Sequence, residues 1–451
     1  MTLDFESDPN PGKPKILFIG LAYSTHTHSW IDLLSQSELN VRLFATPGGW
    51  MPPVDWMVRT YLPQLTSQLS EGLEPAVRKT LFPVPKKGNF LRWHPIYFGL
   101  RVMRRILKIL RMPFELSIAY SPRNKMGLLQ SDADVPSAWL ANVIKDWKPD
   151  IIQTLGIYDE QGGLFYYQCR KKNHLEKYGK WVVQLRGGSD LALRKHDPAF
   201  SSQIRDILTD CDSIITDNLA NVDYIKGLGI PNAKIANIVP VPGTGGIDVD
   251  HFISLWNQPP SKRERIILWP KAYESYWSKA LPVFEALKVC WEDIQPCEIY
   301  MLATNPEVTT WFWDLPAQIR EHCHLFDRIE RARVFELLIK ARVMLAPSLI
   351  DGFPNSLYEA MACGVFPIVS PLDSITPVVR EETNVLFARN LYPEEIANAL
   401  IRAMKDDALV DTVATNNRKL VEQIANRQTI REKVVQYYMT LVENQKNPSG
   451  I

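Results

Sequence analysis

The sequence predicts an α/β protein with two doubly wound domains, each a mainly parallel sheet covered by helices on both faces. Three observations predict it. At 451 residues the chain exceeds what one ordinary core supports. Short, almost continuously apolar runs alternate with helical patterns, as in parallel sheets buried on both faces. The runs fall into two series, divided by "SLWNQPPSKRER" (254–265), whose Pro-Pro and mixed charge read as a linker.

The first series holds "KILFIGL" (15–21), "VRLFAT" (41–46), "DIIQTLG" (150–156), "KWVVQLRG" (180–187) and "DSIITD" (212–217). Residues 51–135 break the alternation; rich in Pro and basic side chains, they read as an insertion. The second series holds "RIILWP" (265–270), "CEIYMLA" (297–303), "RVMLAPS" (342–348) and "VFPIVS" (365–370). The expected domains are therefore 1–255 and 262–425. A last helical pattern over 426–451 follows, clearest in "NRQTIREKVVQYYMTLVEN" (426–444). No internal repeat and no low-complexity tract is present.

Composition narrows the class. Apolar residues make up 46% and charged residues 22%, the balance of a soluble globular protein. A net charge of +1 gives no global field that would recruit nucleic acid. The six cysteines form no CxxC pair and sit mostly in apolar runs, as reduced, buried thiols do. The N-terminal "MTLDFESDPNPGKP" lacks the basic and apolar regions of a signal peptide, and no apolar run approaches a membrane span. A cytoplasmic protein is expected.

In doubly wound sheets, ligands bind beyond the carboxyl ends of the strands. That rule gathers 25–30, 186–190, 243–248, 271–279 and 351–359 on one rim and makes an interdomain cleft the expected site.

The most informative stretch is "APSLIDGFPNSLYEAMACGVFPIVS" (346–370). Asp351-Gly352 is a turn signal, and Pro354 suits a first helical position. The helix should run from about Asn355 to Cys363, with Gly364 as its cap. Its first free amides, at Asn355, Ser356 and Leu357, form with the helix dipole a site for an anion such as a diphosphate. Glu359, one turn deeper, can accept two hydrogen bonds from a vicinal diol such as ribose. Asp351, before the turn, can reach a sugar hydroxyl beyond the phosphates. Neither acid has an obvious basic neighbour. Either one alone would read as a solvated surface acid; the whole string does not.

This string resembles the donor-binding signature of the GT-B fold, retaining glycosyltransferases of the family 4 type (glycosyl transferases group 1). There an acidic residue, seven further residues and a Glu lie within a "PS…(E/D)G(F)…EAMA.G.P(V/I)V" frame. Asp351 stands where Glu is more usual and is one methylene shorter. The resemblance implies donor contacts from Asp351, Gly352, Phe353, Pro354, Asn355, Ser356, Leu357 and Glu359. "RIILWPKAYESYWSKALPVFEAL" resembles the segment whose two basic residues clamp the diphosphate, here Lys271 and Lys279. Lys271 replaces the usual Arg, a point charge in place of a planar fork, and the loop between the two is longer than typical. "DRIERARVFELLIKARVMLAPS" resembles the segment whose backbone contacts the base, near Arg328 and Ile329.

The first domain resembles the family less closely. "KILFIGLAYSTHTHSWIDLL" is similar to the opening strand and helix, making His26, Thr27, His28 and Ser29 acceptor-side candidates. His-x-His without further ligands is not a metal site. "VVQLRGGSDLAL" resembles a "v.t.HG.D" segment, with Arg186 at the expected His. An Arg there can bind phosphate or stabilise a leaving group but cannot act as a base. Asp190 is a further acceptor-side candidate or a cap for the next helix. "VPVPGTGGIDVDHF" resembles a glycine-bearing segment that permits close backbone approach. "LTDCDSIITD" contains Asp210-Cys-Asp212, superficially a metal-binding DxD, but it reads as a helix-to-strand loop.

"LRWHPIYFGLRVMRRILKILRMPF" (91–114) places Ile96, Leu100, Met103, Leu107 and Leu110 at helical spacing, with Arg101, Arg104, Arg105, Lys108 and Arg111 on another face. Two readings stand. One is an interfacial helix over 91–112, giving peripheral contact with the inner membrane face and a lipid-linked acceptor. The other is an insertion helix with a solvated basic face.

Taken together, the resemblance implies a hexosyltransferase type of enzyme. It moves a sugar from a nucleotide diphosphate donor to a glycan or lipid-linked acceptor with retention of configuration, and without metal or other cofactor. Lys271, Lys279, Asp351 and Arg186 are the expected catalytic set. The resemblance also implies that the last helix crosses back to the first domain. Two alternatives stay open: a nucleotide-sugar epimerase of the same fold, and a non-catalytic, membrane-associated binding subunit.

Overall fold

The structure, a computed structural model, describes residues 7–46, 56, 58–62, 134–158, 162–188, 190–256, 258–327 and 329–446. Most of the expected insertion, the whole basic stretch 91–112 and Arg328 lie outside the described residues.

Strands β1 (Lys15–Gly20), β2 (Asn40–Ala45), β3 (Arg59–Tyr61), β4 (Ile151–Thr154), β5 (Lys180–Leu185) and β6 (Ser213–Thr216) form one six-stranded sheet. Strands β7 (Glu264–Trp269), β8 (Glu298–Leu302), β9 (Cys323–Phe326), β10 (Ala341–Ala346), β11 (Phe366–Val369) and β12 (Leu386–Phe387) form a second. All nine strands expected from the apolar runs are present, with ends shifted by one or two residues. The short strands β3, β9 and β12 were not expected.

Helices fill the connections. In chain order they are α1 (Thr25–Ile31), α2 (Asp134–Trp147), α3 (Gly163–Asn173), α4 (Pro198–Asp210), α5 (Leu219–Gly227), α6 (Val249–Ser254) and α7 (Leu281–Ile294). There follow α8 (Pro306–Trp313), α9 (Ala317–Arg320), α10 (Arg331–Lys340), α11 (Asn355–Ala362), α12 (Pro393–Lys405), α13 (Asp407–Ile424) and α14 (Arg427–Lys446).

The strand orders are β3-β2-β1-β4-β5-β6 and β12-β11-β10-β7-β8-β9. Counted within its own series, each is the doubly wound order 3-2-1-4-5-6, whose reversal opens a ligand crevice between the first and fourth strands. In the second sheet that crevice lies between β7 and β10, which pair in parallel through Ile267 with Val343 and Leu268 with Met344.

Two compact units result. One comprises 1–183, 210–212 and 439–451; the other comprises 184–209 and 213–438. The stretch 254–265 lies within the second unit. There the Ser261 amide and hydroxyl donate to the Asp411 carboxylate at 3.0 and 2.6 Å.

The core of the second sheet follows from period-two alternation. Ile267, Trp269, Ile299, Met301, Val343, Leu345, Phe366 and Ile368 enter one buried cluster, with Phe284 and Leu287 of α7 and Leu400 of α12. Ile266, Leu268, Met344, Ala346 and Val369 enter another, with Leu337 of α10, Met361 of α11 and Val421 of α13. All six cysteines are buried and none is in a disulfide; burial pushes Cys290, Cys297, Cys323 and Cys363 up to about 12. No helix among the described residues is long and apolar enough to cross a membrane.

Candidate functional site

Lys271 follows β7 and Asp351 follows β10, the two strands that flank the reversal of the second sheet. Their side chains meet in an ion pair. Burial works against the Lys271 ammonium, but the Asp351 carboxylate outweighs it and holds the amine above its ordinary value. The turn after Asp351 is fixed by the Ser374 hydroxyl, which donates to the carbonyls of Asp351 and Gly352 at 2.9 and 3.2 Å.

Helix α11 begins at Asn355; Pro354 is extended and serves as its cap residue rather than its first helical one. Gly364 ends it at φ +71°, with the Val365 amide donating to the Ala360 carbonyl at 2.9 Å. The Leu357 amide already donates to the Pro354 carbonyl at 3.0 Å. The first free amides of α11 are therefore those of Asn355 and Ser356, without the Leu357 amide that was expected with them. The Ser356 hydroxyl beside them is shielded from solvent and without a hydrogen-bond partner. Asn355 is held by the Thr244 hydroxyl, which donates to its side-chain oxygen at 2.9 Å. Phe353 stacks on Tyr358 at 4.5 Å between ring centroids.

Glu359 is buried, and burial raises its carboxyl above the usual range despite Arg331, which donates to it at 2.6 Å. Both acids therefore have cationic partners, Lys271 and Arg331, which were not obvious from the neighbouring sequence. Lys279 lies two residues ahead of α7 and pairs with Glu274 at 2.9 Å. Ile329 is partly buried against the second unit's core.

The second unit also contains the loop after β5. A Cβ added to Gly187 would lie 2.2 Å from the Gly352 Cα, so only glycine permits this approach. Beneath it sits Asp217, buried at the end of β6, which the sequence reading passed over. It accepts the Gly187 amide at 3.0 Å on both oxygens, the Asn218 side-chain amide at 2.7 Å and that of Asn221 at 3.3 Å. Burial carries its carboxyl up to about 6, against these hydrogen bonds and the Arg186 charge. Burial likewise lowers Arg186 to about 10, against Asp190 and Asp217. The Arg186 Nε has no hydrogen-bond partner.

Asp190 does not cap the next helix, because α4 starts only at Pro198. Its carboxylate accepts the Arg186 amide at 3.2 Å and folds the loop back on itself. Asp197, before the Pro, supplies the α4 cap by accepting the Ala199 amide at 2.9 Å.

The acceptor-side candidates His26, Thr27, His28 and Ser29 lie on α1 in the first unit. The His28 ring bonds the Ala22 carbonyl at 2.5 Å and lies tilted by 37° against the Trp56 ring, 4.2 Å between centroids. Asp210 pairs with Arg170 at 3.1 Å, and Asp212 with Lys180 at 3.0 Å.

The described geometry joins Lys271 to Asp351, Asp351 to the start of α11, and Gly352 to Gly187. Residues 313–420 match the family model described as glycosyl transferases group 1. Asp351 and Glu359 lie inside the match; Lys271 and Lys279 precede it. Over 238 residues the chain is 23% identical to the Escherichia coli UDP-Gal:alpha-D-GlcNAc-diphosphoundecaprenol alpha-1,3-galactosyltransferase, covering 49% of this chain and 58% of that protein. The chain thus spans less than two thirds of that relative's length.

Solved structures establish the fold. Anabaena HepE in complex with UDP superposes with a TM-score of 0.61 at 13% identity, over 94% of this chain and 100% of that one. Sucrose-phosphate synthase from Thermosynechococcus elongatus gives 0.61 at 14%, over 95% and 99%. The fold is GT-B, two Rossmann-like α/β domains, as the strand alternation predicts.

Proposed function

We propose that the chain is a glycosyltransferase that moves a sugar from a nucleotide diphosphate donor to a glycan or lipid-linked acceptor, with retention of configuration. The observation that carries this reading is the Lys271–Asp351 pair at the reversal of the second sheet, beside the open end of α11, with Glu359 buried one turn further in. The Asn355 and Ser356 amides and the Ser356 hydroxyl receive the diphosphate. Lys271 and Lys279 neutralise it, and Glu359 exchanges Arg331 for the ribose hydroxyls. The contact to the base is assigned to backbone beside Ile329.

The chemistry asked of these groups is positioning and electrostatic stabilisation. The bond from the anomeric carbon to the phosphate oxygen breaks, its electron pair leaving on the diphosphate. The acceptor hydroxyl forms the new bond on the same face, and its proton passes to the departing phosphate oxygen. Lys271 and the α11 amides stabilise the charge that grows there, and Arg186 is the further cation assigned to it. No protein nucleophile is needed. The basic stretch 91–112 is assigned peripheral membrane contact, which suits a lipid-linked acceptor.

The test is a thermal-shift panel of nucleotide sugars, followed by product analysis with the one that binds. A ligand at 100 times its dissociation constant stabilises by about 2.7 kcal/mol. Transfer to added glycan acceptors is the expected result. Conversion of the donor into an epimeric nucleotide sugar, or no shift with any member, would overturn the reading.

A further inference from the structure

The loop between Lys271 and Lys279, "AYESYWS", carries three aromatic residues in seven. Its tip is both exposed and rigidly held. Tyr276 is 58% exposed, among the most exposed of the large apolar side chains described. Its ring lies 4.6 Å from that of Trp277, tilted by 40°. Trp277 is pinned through its backbone: its carbonyl accepts the amides of Leu349 at 2.7 Å and Ile350 at 3.3 Å, and its own amide donates to the Ser275 hydroxyl at 3.0 Å. The Ser275 amide donates to the Ser278 carbonyl at 2.9 Å, and the Ser278 hydroxyl to the Pro347 carbonyl at 3.0 Å.

These bonds fasten the aromatic loop to the residues that lead directly into Asp351. The Trp277 ring also lies over Gly188, where an added Cβ would meet it at 3.4 Å. A fixed aromatic pair, Tyr276 exposed and Trp277 half-buried, is thus held between the Arg186–Gly188 loop and the Asp351 turn, with ammonium and carboxylate groups around it. A helical or core role would bury such side chains. A solvated loop tip would not need six hydrogen-bonding groups to fix it.

We propose that Tyr276 and Trp277 form a stacking platform for a pyranose ring. A pyranose has an apolar C–H face and a rim of hydroxyls. The platform offers the apolar face an aromatic surface, while Lys271, Asp351 and Glu274 offer the rim charged hydrogen-bonding groups. Because the loop is pinned before any ligand arrives, little ordering is lost on binding. The ring is brought either by the acceptor or by the donor. The inference rests on the nucleotide-sugar reading of the neighbouring residues.

The experiment uses the full chain and saturation-transfer NMR. The probes are methyl glycosides of glucose, galactose, mannose and N-acetylglucosamine, each with nucleoside diphosphate present. Calorimetry of nucleotide sugars and of nucleoside diphosphates runs alongside. Tyr276→Ala should lower affinity roughly three- to tenfold for the ring-bearing probe, the range of an aromatic contact. Tyr276→Phe should restore it, and nucleoside diphosphate affinity should not change in either variant. Loss confined to the methyl glycosides places the acceptor on the platform; loss confined to nucleotide sugars places the donor sugar there. No pyranose signal in the unsubstituted protein, or equal affinities in Tyr276→Ala, would overturn the platform. Failure of the unsubstituted protein to bind any nucleoside diphosphate would count against the nucleotide-sugar reading instead, while a pyranose signal lost in Tyr276→Ala would still support the platform.

Discussion

Asp217 offers a prediction whose size can be worked out. Its carboxyl is carried from an ordinary 3.8 to about 6, chiefly by burial. The folded protein therefore binds this proton more tightly than the unfolded chain. Between 3.8 and about 6 the native state holds more protons, so stability falls as pH rises through that window. The full effect is about 3 kcal/mol, at 1.36 kcal/mol per tenfold change in proton affinity. Between pH 5.0 and 7.5 this group alone should cost the protein roughly 1–2 kcal/mol. Asp217→Asn cannot ionise and keeps one oxygen for the Gly187, Asn218 and Asn221 amides. The stability difference between variant and wild type should therefore move by roughly 1–2 kcal/mol in the variant's favour from pH 5.0 to pH 7.5. Urea titrations of both proteins at the two pH values, followed by tryptophan fluorescence, measure it; pH effects common to both proteins cancel in the difference. No movement, or movement toward the wild type, would refute the account of a buried, raised carboxyl. Turnover in Asp217→Asn should drop, because the lost charge faces Arg186.

Other perturbations separate the remaining roles. Glu359→Ala should weaken every nucleoside diphosphate roughly tenfold to a hundredfold, the worth of charge-assisted hydrogen bonds. Asp351→Ala should leave that binding nearly intact and cut turnover; calorimetry beside a turnover assay tests the order. Transfer should survive excess chelator, because Lys271, Lys279 and the α11 amides neutralise the diphosphate; loss restored by manganese or magnesium would contradict this. Gly187→Ala should destabilise the protein by roughly 1–3 kcal/mol, since its methyl would overlap the Gly352 backbone; a denaturant midpoint reads this directly. The protein should sediment with anionic vesicles and detach as salt rises. Arg101, Arg104 and Arg105 all changed to Glu should abolish cosedimentation without unfolding.

The strands legible in the sequence were those buried on both faces, whose short, continuous apolar runs rich in Ile, Val and Leu are bounded by turn residues. Those missed are short or sit at sheet edges. His322, just ahead of the edge strand β9, and His324 within it bond the two oxygens of Glu298 at 2.8 and 2.7 Å and break the apolar run. Within the site, Asp351, Glu359 and the α11 start were legible because local spacing defines them. Their partners were not, because Lys271 reaches Asp351 across 80 positions and Arg331 reaches Glu359 across 28. Asp217 stayed hidden for a related reason. It reads as the end of a strand, and only the meeting of Gly187 with Gly352 encloses it. The Asp190 assignment went astray on helix length: the Asp-Pro at 197–198, a better start signal, lies seven residues further on.

The two ion pairs of the candidate site also bear on how the enzyme would let go of its product. Asp351 is neutralised by Lys271 and Glu359 by Arg331. On the proposed reading, a departing nucleoside diphosphate would not strip Glu359 bare, because its counter-charge stays within reach. Release would then be an exchange of partners, without the full cost of leaving a buried charge unpaired. The same exchange would tax entry of the donor and loosen binding at both ends of the cycle. Replacing Arg331 with a neutral side chain would shift that balance: Glu359 would hold out for ribose alone, and the product would stay longer.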